Sequence, residues 1–209
     1  MRGETILLDK SIPYFNVIMK RPAGKPIPNF ILPDGYSFVW FTEGNEQQWA
    51  EIETSVDEFS NKDEALHYFQ NEYLPFVDEL KNRLLFIRNA EGNEVGTITG
   101  WWNITGERRD LSVHWFAVKK EYQSLGLGKA LVSECLNRLL LIEGDKDIFL
   151  HTQTWSYKAI GLYLKAGFEI VRKESFAQYK NDYEQAIPLL KKVLYLKTLQ
   201  QTEHDSLRR

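Results

Sequence analysis

Residues 111 to 132 have the sequence LSVHWFAVKKEYQSLGLGKALV, which predicts a strand, a glycine-rich turn and a helix in direct succession. A short run of β-branched and aromatic residues ending at Val118 indicates the strand. From about Gly128 onward, apolar residues recur at the spacing of one helix face. They are Leu131, Cys135, Leu139 and Ile142. The glycines of the turn, QSLGLG at 123–128, allow backbone angles and close approaches that a Cβ would block.

This turn predicts a binding site for a ligand that carries phosphate. The first amides of a helix lack carbonyl partners and lie at the positive end of the helix dipole. A P-loop is excluded, because Ala130 follows Gly128-Lys129 where a Ser or Thr would hold magnesium, and residue 123 is Gln instead of Gly. A dinucleotide-binding fingerprint is excluded as well, because Leu131 stands where its third glycine is required.

A second motif follows about 30 residues later, after a predicted strand at 147–152, and has the sequence SYKAIGLYLKAGF at 156–168. The two motifs resemble the signatures of the GCN5-related N-acetyltransferase (GNAT) superfamily. Gln123, Gly126 and Gly128 match the first signature, Gln/Arg-x-x-Gly-x-Gly/Ala. The second, Asn-x-x-Ala-x-x-x-Tyr-x-x-x-Gly-Phe, is matched with Ser156 in place of Asn. The resemblance covers residues 84–174.

The resemblance implies a fold and a cofactor. The fold is α/β, a mixed, mostly antiparallel twisted sheet with helices on both faces, preceded here by an N-terminal extension. The cofactor is acetyl-CoA, the acetyl donor. Amides of the turn are expected to hold its pyrophosphate, and the strand ending at Val118 is expected to pair with its pantetheine arm. The implied cofactor-binding residues are Phe116, Ala117, Val118, Gln123, Ser124, Leu125, Gly126, Leu127, Gly128, Lys129, Ser156 and Tyr163.

Two residues are candidates for acid–base chemistry. Tyr163 matches the family's tyrosine that protonates the departing thiolate, and a phenol is a proton donor at neutral pH. The period of two predicts that Ser112, His114, Phe116 and Val118 share one strand face. In relatives a carboxylate on this face serves as the base. Here the equivalent positions offer Ser112 and His114, so His114 is the leading candidate for deprotonating an amine. A hydrogen-bonded structural histidine is the equally weighted alternative.

The segment from Glu43 to Glu79 contains eleven acidic residues and one basic residue, Lys62. For most of these positions we interpret the charges as solvated helix faces. In the family, however, the segment between the first two helices lines the acceptor site. Asp57, Glu58 and Phe59 lie there, so the resemblance implies that they bind the substrate and that an acidic wall attracts a cationic amine.

Length and composition predict one soluble domain, because 209 residues are enough for a full core. The net charge of −3 and the absence of a long apolar run argue against nucleic-acid and membrane binding. An N-terminus without signal-peptide features and a single cysteine, Cys135, predict a cytoplasmic location. The four histidines and the cysteine show no zinc-ligand spacing, so no metal is expected.

Three segments are predicted: an N-terminal extension with a Pro-rich connector (1–35), a GNAT-like acetyltransferase domain (36–199) and a polar tail (200–209). Within the extension, 14–19 is a weakly alternating strand. Near the other end, the pattern predicts a short helix at 182–192, interrupted near Pro188, and a last strand at 193–199.

The motifs therefore predict an acetyl-CoA-dependent N-acetyltransferase. It would move an acetyl group to a small amine, expected to be cationic, by direct attack in a ternary complex. Two alternatives stay open: a non-catalytic domain of the same fold that binds an acyl-CoA and regulates, and an enzyme that acetylates protein N-termini or lysines. The expected partners are a coenzyme A thioester and the amine. The oligomeric state stays open, with a homodimer as one expectation.

Overall fold

The computed structural model describes the backbone of residues 8–206 and the side chains of residues 8–194. Within this range the chain forms seven strands and six α-helices. The strands are β1 Asn16–Arg21, β2 Tyr36–Trp40, β3 Leu84–Asn89, β4 Glu94–Thr105, β5 Arg108–Val118, β6 Ile148–Gln153 and β7 Glu169–Ile170. The helices are α1 Glu46–Ser55, α2 Lys62–Glu72, α3 Val77–Arg83, α4 Leu127–Glu143, α5 Tyr157–Lys165 and α6 Tyr183–Ser206.

All seven strands belong to one sheet with the order β2-β3-β4-β5-β6-β1-β7. The pairing of β5 with β6 is parallel, and the other neighbours pair antiparallel. The predicted mixed, mostly antiparallel sheet is therefore confirmed. Strand β1 comes from the predicted N-terminal extension and lies inside the sheet, between β6 and β7.

Helices cover both faces of the sheet because its strands alternate between two apolar clusters. In β3, Leu85 and Ile87 belong to the cluster that α4 and α5 cover. Leu84 and Phe86 belong to the opposite cluster, which α1 and α2 cover. The start of α2 follows the predicted cap, since the Asn61 side chain accepts a hydrogen bond of 2.9 Å from the amide of Glu64.

The C-terminal prediction of a short helix followed by a strand at 193–199 is wrong, because these residues continue one helix, α6. Ala186 and Leu190 are buried at helical spacing, and Leu194 packs against the same core cluster. A Cβ at Gly161 of α5 would lie 3.4 Å from Leu194 Cδ2, so the two helices approach closely at this glycine. A short apolar run alone is compatible with a strand or a helix. The packing of α6 on α5 favours the helix.

Candidate active site

The sheet splits between β5 and β6. These strands pair in parallel at Leu111 with Ile148 and at Ser112 with Phe149. Within the described residues they form no further pairs, although β5 continues to Val118 and β6 to Gln153. The facing edges of both strands beyond these pairs are therefore open to pairing by an extended ligand.

A β-bulge lies in β5 at this split. Thr97 of β4 pairs with Ala117, and Thr99 pairs with His114, so two residues of β5, Trp115 and Phe116, oppose one residue of β4. The backbone of Trp115 has a φ of 43°, in the left-handed region that a bulky residue rarely adopts. The bulge adds one residue to the alternation of β5.

This extra residue separates side chains that were predicted to share a face. His114 contacts Tyr73, which follows α2, whereas Phe116 packs edge-on against Tyr163 of α5 at 5.9 Å. The two residues therefore lie on opposite sides of the sheet. The predicted common face of Ser112, His114, Phe116 and Val118 is wrong, because strict alternation does not pass through a bulge.

The glycine turn between β5 and α4 borders a cavity of about 170 Å³, here named the turn cavity. It is lined by Phe116, Val118, Tyr122, Gln123, Ser124, Gly126, Gly128, Lys129, Lys158, Ala159 and Leu162. Lys129 and Lys158 make the lining positive. Gln123 donates to the Val118 carbonyl at 2.9 Å, while its buried Oε1 has no partner among the described residues. Positive charge and an unpaired buried acceptor fit the phosphates and amides of acetyl-CoA.

Gly126 and Gly128 serve this turn for different physical reasons. Gly126 precedes the first residue of α4 and has a φ of 91°, a conformation that a side chain would strain. Its carbonyl accepts the first bonds of the helix, from the amides of Lys129 and Ala130 at 3.1 and 3.2 Å. At Gly128, by contrast, a Cβ would lie 2.9 Å from Phe116 Cζ, so this glycine makes room for the aromatic ring.

A larger cavity of about 790 Å³, here named the main cavity, shares Phe116 and Ala159 with the turn cavity, so the two spaces meet there. Aromatic and acidic side chains line much of it. They include Glu53, Asp57, Glu58, Tyr68, Glu72, Tyr73, Trp101, Trp102, Trp115, Trp155 and Tyr179. Lys10 is the one Lys or Arg in its described lining. Aromatic faces and carboxylates both attract cations, so the main cavity is suited to a positively charged ligand.

The segment before β1 forms one wall of the main cavity, to which Leu8, Lys10 and Tyr14 contribute. It is held on the loop after β6. The Asp9 amide donates to the Trp155 carbonyl at 2.9 Å, and Trp155 Nε1 donates to the Ile12 carbonyl at 2.7 Å. Lys10 Nζ lies 5.6 Å from the centre of the Trp155 ring. The N-terminal extension therefore helps to enclose the cavity.

Tyr163 of α5 is buried and lines the main cavity. Its ring packs edge-on against Phe116 at 5.9 Å and Phe168 at 5.7 Å. Burial, assisted by nearby negative charge that includes Glu58 and Glu53, raises the pKa of the Tyr163 phenol far above its ordinary value. The phenol therefore keeps its proton at neutral pH.

His114 lines the main cavity with both ring nitrogens in hydrogen bonds. Nδ1 lies 3.2 Å from the Tyr73 hydroxyl, and Nε2 lies 2.6 Å from Asn103 Nδ2 and 2.9 Å from Ser112 Oγ. Burial lowers the pKa of His114 to about 4, so the ring is neutral at pH 7. Its role as the base stays a prediction, and these contacts equally suit the structural alternative.

Two of the three residues predicted to bind substrate line the main cavity, and the third lies behind them. Asp57 forms a 2.9 Å ion pair with Lys120, which neutralises part of its charge. Burial is the main cause that raises the pKa of Glu58. Phe59 packs against the Trp115 ring at 4.9 Å, so it supports the wall from outside the lining.

Glu53 is the functional candidate that the sequence analysis missed. It lies on α1, is 0% exposed and lines the main cavity. A signal was present, because Trp49, Ala50 and Ile52 form the buried face of α1 and Glu53 is the acid on that face. Lys158 was missed in the turn cavity, although it follows Ser156 by two residues in the second motif.

The predicted cofactor-binding residues distribute over the two cavities. Those at the turn cavity are Phe116, Val118, Gln123, Ser124, Gly126, Gly128 and Lys129. Ser156 and Tyr163 line the main cavity. Ala117, Leu125 and Leu127 line neither cavity: Ala117 and Leu127 are buried in the core, and the Leu125 side chain is exposed. Their side chains therefore do not line a cavity, but their backbone groups belong to the same strand and turn as the residues that do.

The mixed sheet and the glycine turn before α4 agree with the GNAT-like fold that the two sequence motifs predict. The chain matches the Acetyltransferase (GNAT) family over residues 46–168, more than half of its length, and it belongs to this family. Strand β1 precedes the matched region.

The similar proteins and solved structures are also described as acetyltransferases. The N-alpha-acetyltransferase of Sulfurisphaera tokodaii is 26% identical in an alignment of 129 residues that covers 56% of this chain and 77% of that protein. A GCN5-related N-acetyltransferase structure from Sphaerobacter thermophilus has a TM-score of 0.58 at 22% identity, covering 76% of this chain. A GNAT-family acetyltransferase from Colwellia psychrerythraea has a TM-score of 0.56 at 8% identity, covering 77% of this chain. The chain spans 49% and 55% of these two structures, and at such identities they show the fold alone.

Among the described residues, no group of three or more His, Cys, Asp and Glu side chains is placed to hold a metal ion. No described helix combines the length and the apolarity that crossing a membrane requires.

Proposed function

We propose that this protein transfers the acetyl group of acetyl-CoA to the amine of a small cationic acceptor. The observation that carries the proposal is the junction of two unlike cavities at Phe116 and Ala159. The turn cavity carries two lysines and suits phosphates, whereas the main cavity carries carboxylates and aromatic rings and suits a cation. A donor thioester and an acceptor amine would therefore meet where the two spaces join.

Charge supports a cationic acceptor. The main cavity contains four carboxylates in its lining, those of Glu53, Asp57, Glu58 and Glu72, against one lysine, Lys10, among the described residues. Asp57 is paired to Lys120, and burial raises the pKa values of Glu53 and Glu58, so the negative charge of the lining increases as pH rises. Such a field concentrates cations and raises their association rate. Aromatic faces add attraction for an ammonium group at short range.

The reaction needs one bond to form and one to break. Acetyl-CoA supplies the activated acetyl group. The lone pair of a neutral amine forms the C–N bond, the C–S bond breaks, and the sulfur leaves with the electron pair. In our proposal the Tyr163 phenol gives its proton to that sulfur and recovers one from the acylated nitrogen. The products are the amide and the free thiol, with Tyr163 restored.

Enclosure favours a small acceptor over a protein. The segment that contributes Leu8, Lys10 and Tyr14 closes one wall of the main cavity, so a long polypeptide would have to displace it. The name of the Sulfurisphaera relative nevertheless makes peptide α-amines a second candidate class. Peptides with a free N-terminus therefore belong beside the small amines in the test.

The test is a thiol-release screen with acetyl-CoA and a panel of polyamines, aminoglycosides, amino acids and short peptides. The proposal expects turnover with small cations, and rates that fall with salt as screening shortens from ~10 Å at 0.1 M to ~3 Å at 1 M. Binding of acetyl-CoA without turnover on any amine would favour the regulatory alternative. Turnover restricted to peptides would replace the small acceptor with a protein N-terminus.

A further inference from the structure

Glu53 is a fully buried carboxyl group that forms no hydrogen bond to the described residues. It is 0% exposed, and neither carboxylate oxygen has a hydrogen-bond partner among the described residues. An unpaired carboxylate in such a site is costly, so it persists where a ligand or a reaction uses it. Glu53 also lines the main cavity, which places this unpaired group beside the bound acceptor of the proposed function.

The ionisable groups around Glu53 come from three other parts of the fold. Glu58, in the loop after α1, adds to the effect of burial, and together they raise the pKa of Glu53 well above its ordinary value. Negative charge on Glu53 in turn contributes to the raised pKa of Tyr73, after α2, and of Tyr163, on α5. Glu53 therefore lies within electrostatic range of the phenol that faces the sulfur in the proposed reaction.

His114 is the competing base, and its surroundings make it the weaker one. Protein groups already occupy both of its ring nitrogens: Tyr73 at Nδ1, and Asn103 and Ser112 at Nε2. Burial also lowers the pKa of His114 to about 4, which reduces its affinity for a proton at neutral pH. Glu53, in contrast, has two free oxygens.

We propose that Glu53 is the general base that accepts the proton of the acceptor ammonium. The ammonium N–H bond breaks, its electron pair stays on nitrogen as the nucleophilic lone pair, and the proton forms an O–H bond with the Glu53 carboxylate. After transfer of the acetyl group, the proton returns to solvent as the product leaves. This inference rests on the proposed N-acetyltransferase function and adds a residue on α1 to it.

The experiment compares Glu53→Gln with the wild-type protein on the best amine of the screen. Glutamine keeps the shape of the side chain but cannot take the proton, so kcat should fall by roughly 10²- to 10⁴-fold, the usual worth of general-base catalysis. The thermal shift caused by acetyl-CoA should be unchanged. As the pH approaches the pKa of the amine, the variant should recover rate, because solution then supplies the neutral nucleophile.

Glu51→Gln is the matched control, because Glu51 lies on the same helix but faces solvent and pairs with Lys119. It should keep the wild-type rate and pH profile. His114→Asn tests the competing base. If His114 were the base, kcat/KM of the wild-type protein would rise with pH through the pKa of His114, and this variant alone would lose that rise, here named the pH limb.

A folding measurement tests Glu53 without activity. Because folding raises the pKa of Glu53, the folded state binds its proton more tightly, and the free energy of unfolding should fall as pH rises from the ordinary carboxyl pKa of 4.5 to the raised pKa. Glu53→Gln should remove this part of the pH dependence of stability. Three results would overturn the inference: wild-type kcat in Glu53→Gln, a loss of rate that high pH does not restore, or a pH limb that disappears in His114→Asn. A wild-type protein that binds acetyl-CoA but acetylates no amine overturns the proposed function itself.

Discussion

Gly128→Ala tests the proposed acetyl-CoA site, because the family signature accepts Ala at this position whereas Phe116 stands against it in this chain. The added methyl would lie 2.9 Å from Phe116 Cζ, closer than real Cβ contacts allow, so the ring must move. Phe116 lines both cavities and has space beside it in the unliganded protein. When the cofactor arm fills the junction of the two cavities, that space is lost. The free-energy cost of displacing the Phe116 ring should therefore affect mainly the acetyl-CoA-bound state.

The size of the effect follows from overpacking energies. Saturation at 100 times Kd stabilises the wild-type fold by about 2.7 kcal/mol, which corresponds to a rise in Tm of roughly 5–11 °C for a chain of this size. An overpacking cost of about 1–3 kcal/mol on the bound state weakens binding roughly 5- to 140-fold. At the same ligand concentration, the stabilisation by ligand then falls to about 0.3–1.8 kcal/mol.

The assay is thermal unfolding with and without acetyl-CoA. Gly144→Ala is the control, because Gly144 ends the same helix with a φ of 79° and has open space around it. That variant should unfold at a lower temperature through backbone strain, yet keep the full ligand-dependent shift. An undiminished shift in Gly128→Ala would refute the placement of the cofactor arm at Phe116.

Three further outcomes follow from the site. Tyr163→Phe should lower kcat by roughly 10²- to 10⁴-fold with little change in acetyl-CoA affinity, because only the hydroxyl is lost; wild-type turnover would place the proton donor elsewhere. Glu58→Gln should raise KM for a cationic amine more than Asp57→Asn does, because Lys120 already pairs with Asp57; equal effects on a neutral acceptor would contradict an electrostatic role. Burial lowers the pKa values of His114 and His151 to about 4, so below ~6.5 the unfolded chain binds protons that the folded chain does not. The free energy of unfolding should therefore fall as pH drops from 6.5 toward 4. Denaturant titrations at several pH values should show a smaller fall of this free energy in His114→Asn.

The sequence was sufficient to predict the strand, turn and helix at 111–132, because each step there is encoded locally. Apolar periodicity changes at the turn, and the glycines mark where the backbone needs their freedom. The structure places Gly126 at the start of α4 and both glycines at the turn cavity. Contiguous motifs of this kind need no knowledge of the rest of the chain.

The elements that depend on distant partners were not predictable in the same way. An apolar run at 193–199 fits a strand or a helix equally well, whereas the close approach of Leu194 to Gly161 of α5 shows how tertiary packing supports the helix. The position of β1 between β6 and β7 is likewise fixed by pairing over more than a hundred residues of sequence. Local pattern predicts that a strand exists but does not give its neighbours.

The bulge in β5 shows how one residue can invalidate an argument from periodicity. Each residue before Trp115 alternates as expected, and so does each residue after Phe116, but the two registers differ by one. The extra residue takes His114 to the side of Tyr73 and leaves Phe116 beside Gly128. A single strand without its partner gives no evidence of where the alternation breaks.

Glu53 illustrates a different limit of sequence analysis. Its position on the apolar face of α1 was visible in the sequence, but a count of acidic residues over the whole segment hides it. Counting eleven acidic residues between Glu43 and Glu79 treats them as one population, whereas their positions on α1 separate them. Glu51 faces solvent, and Glu53 lies four residues after Trp49 on the buried face. Departures from sequence rules are expected at functional sites, and a buried carboxyl group without a partner is such a departure. The acid that breaks the helix pattern is for this reason the stronger candidate for a base than the histidine that satisfies every local contact.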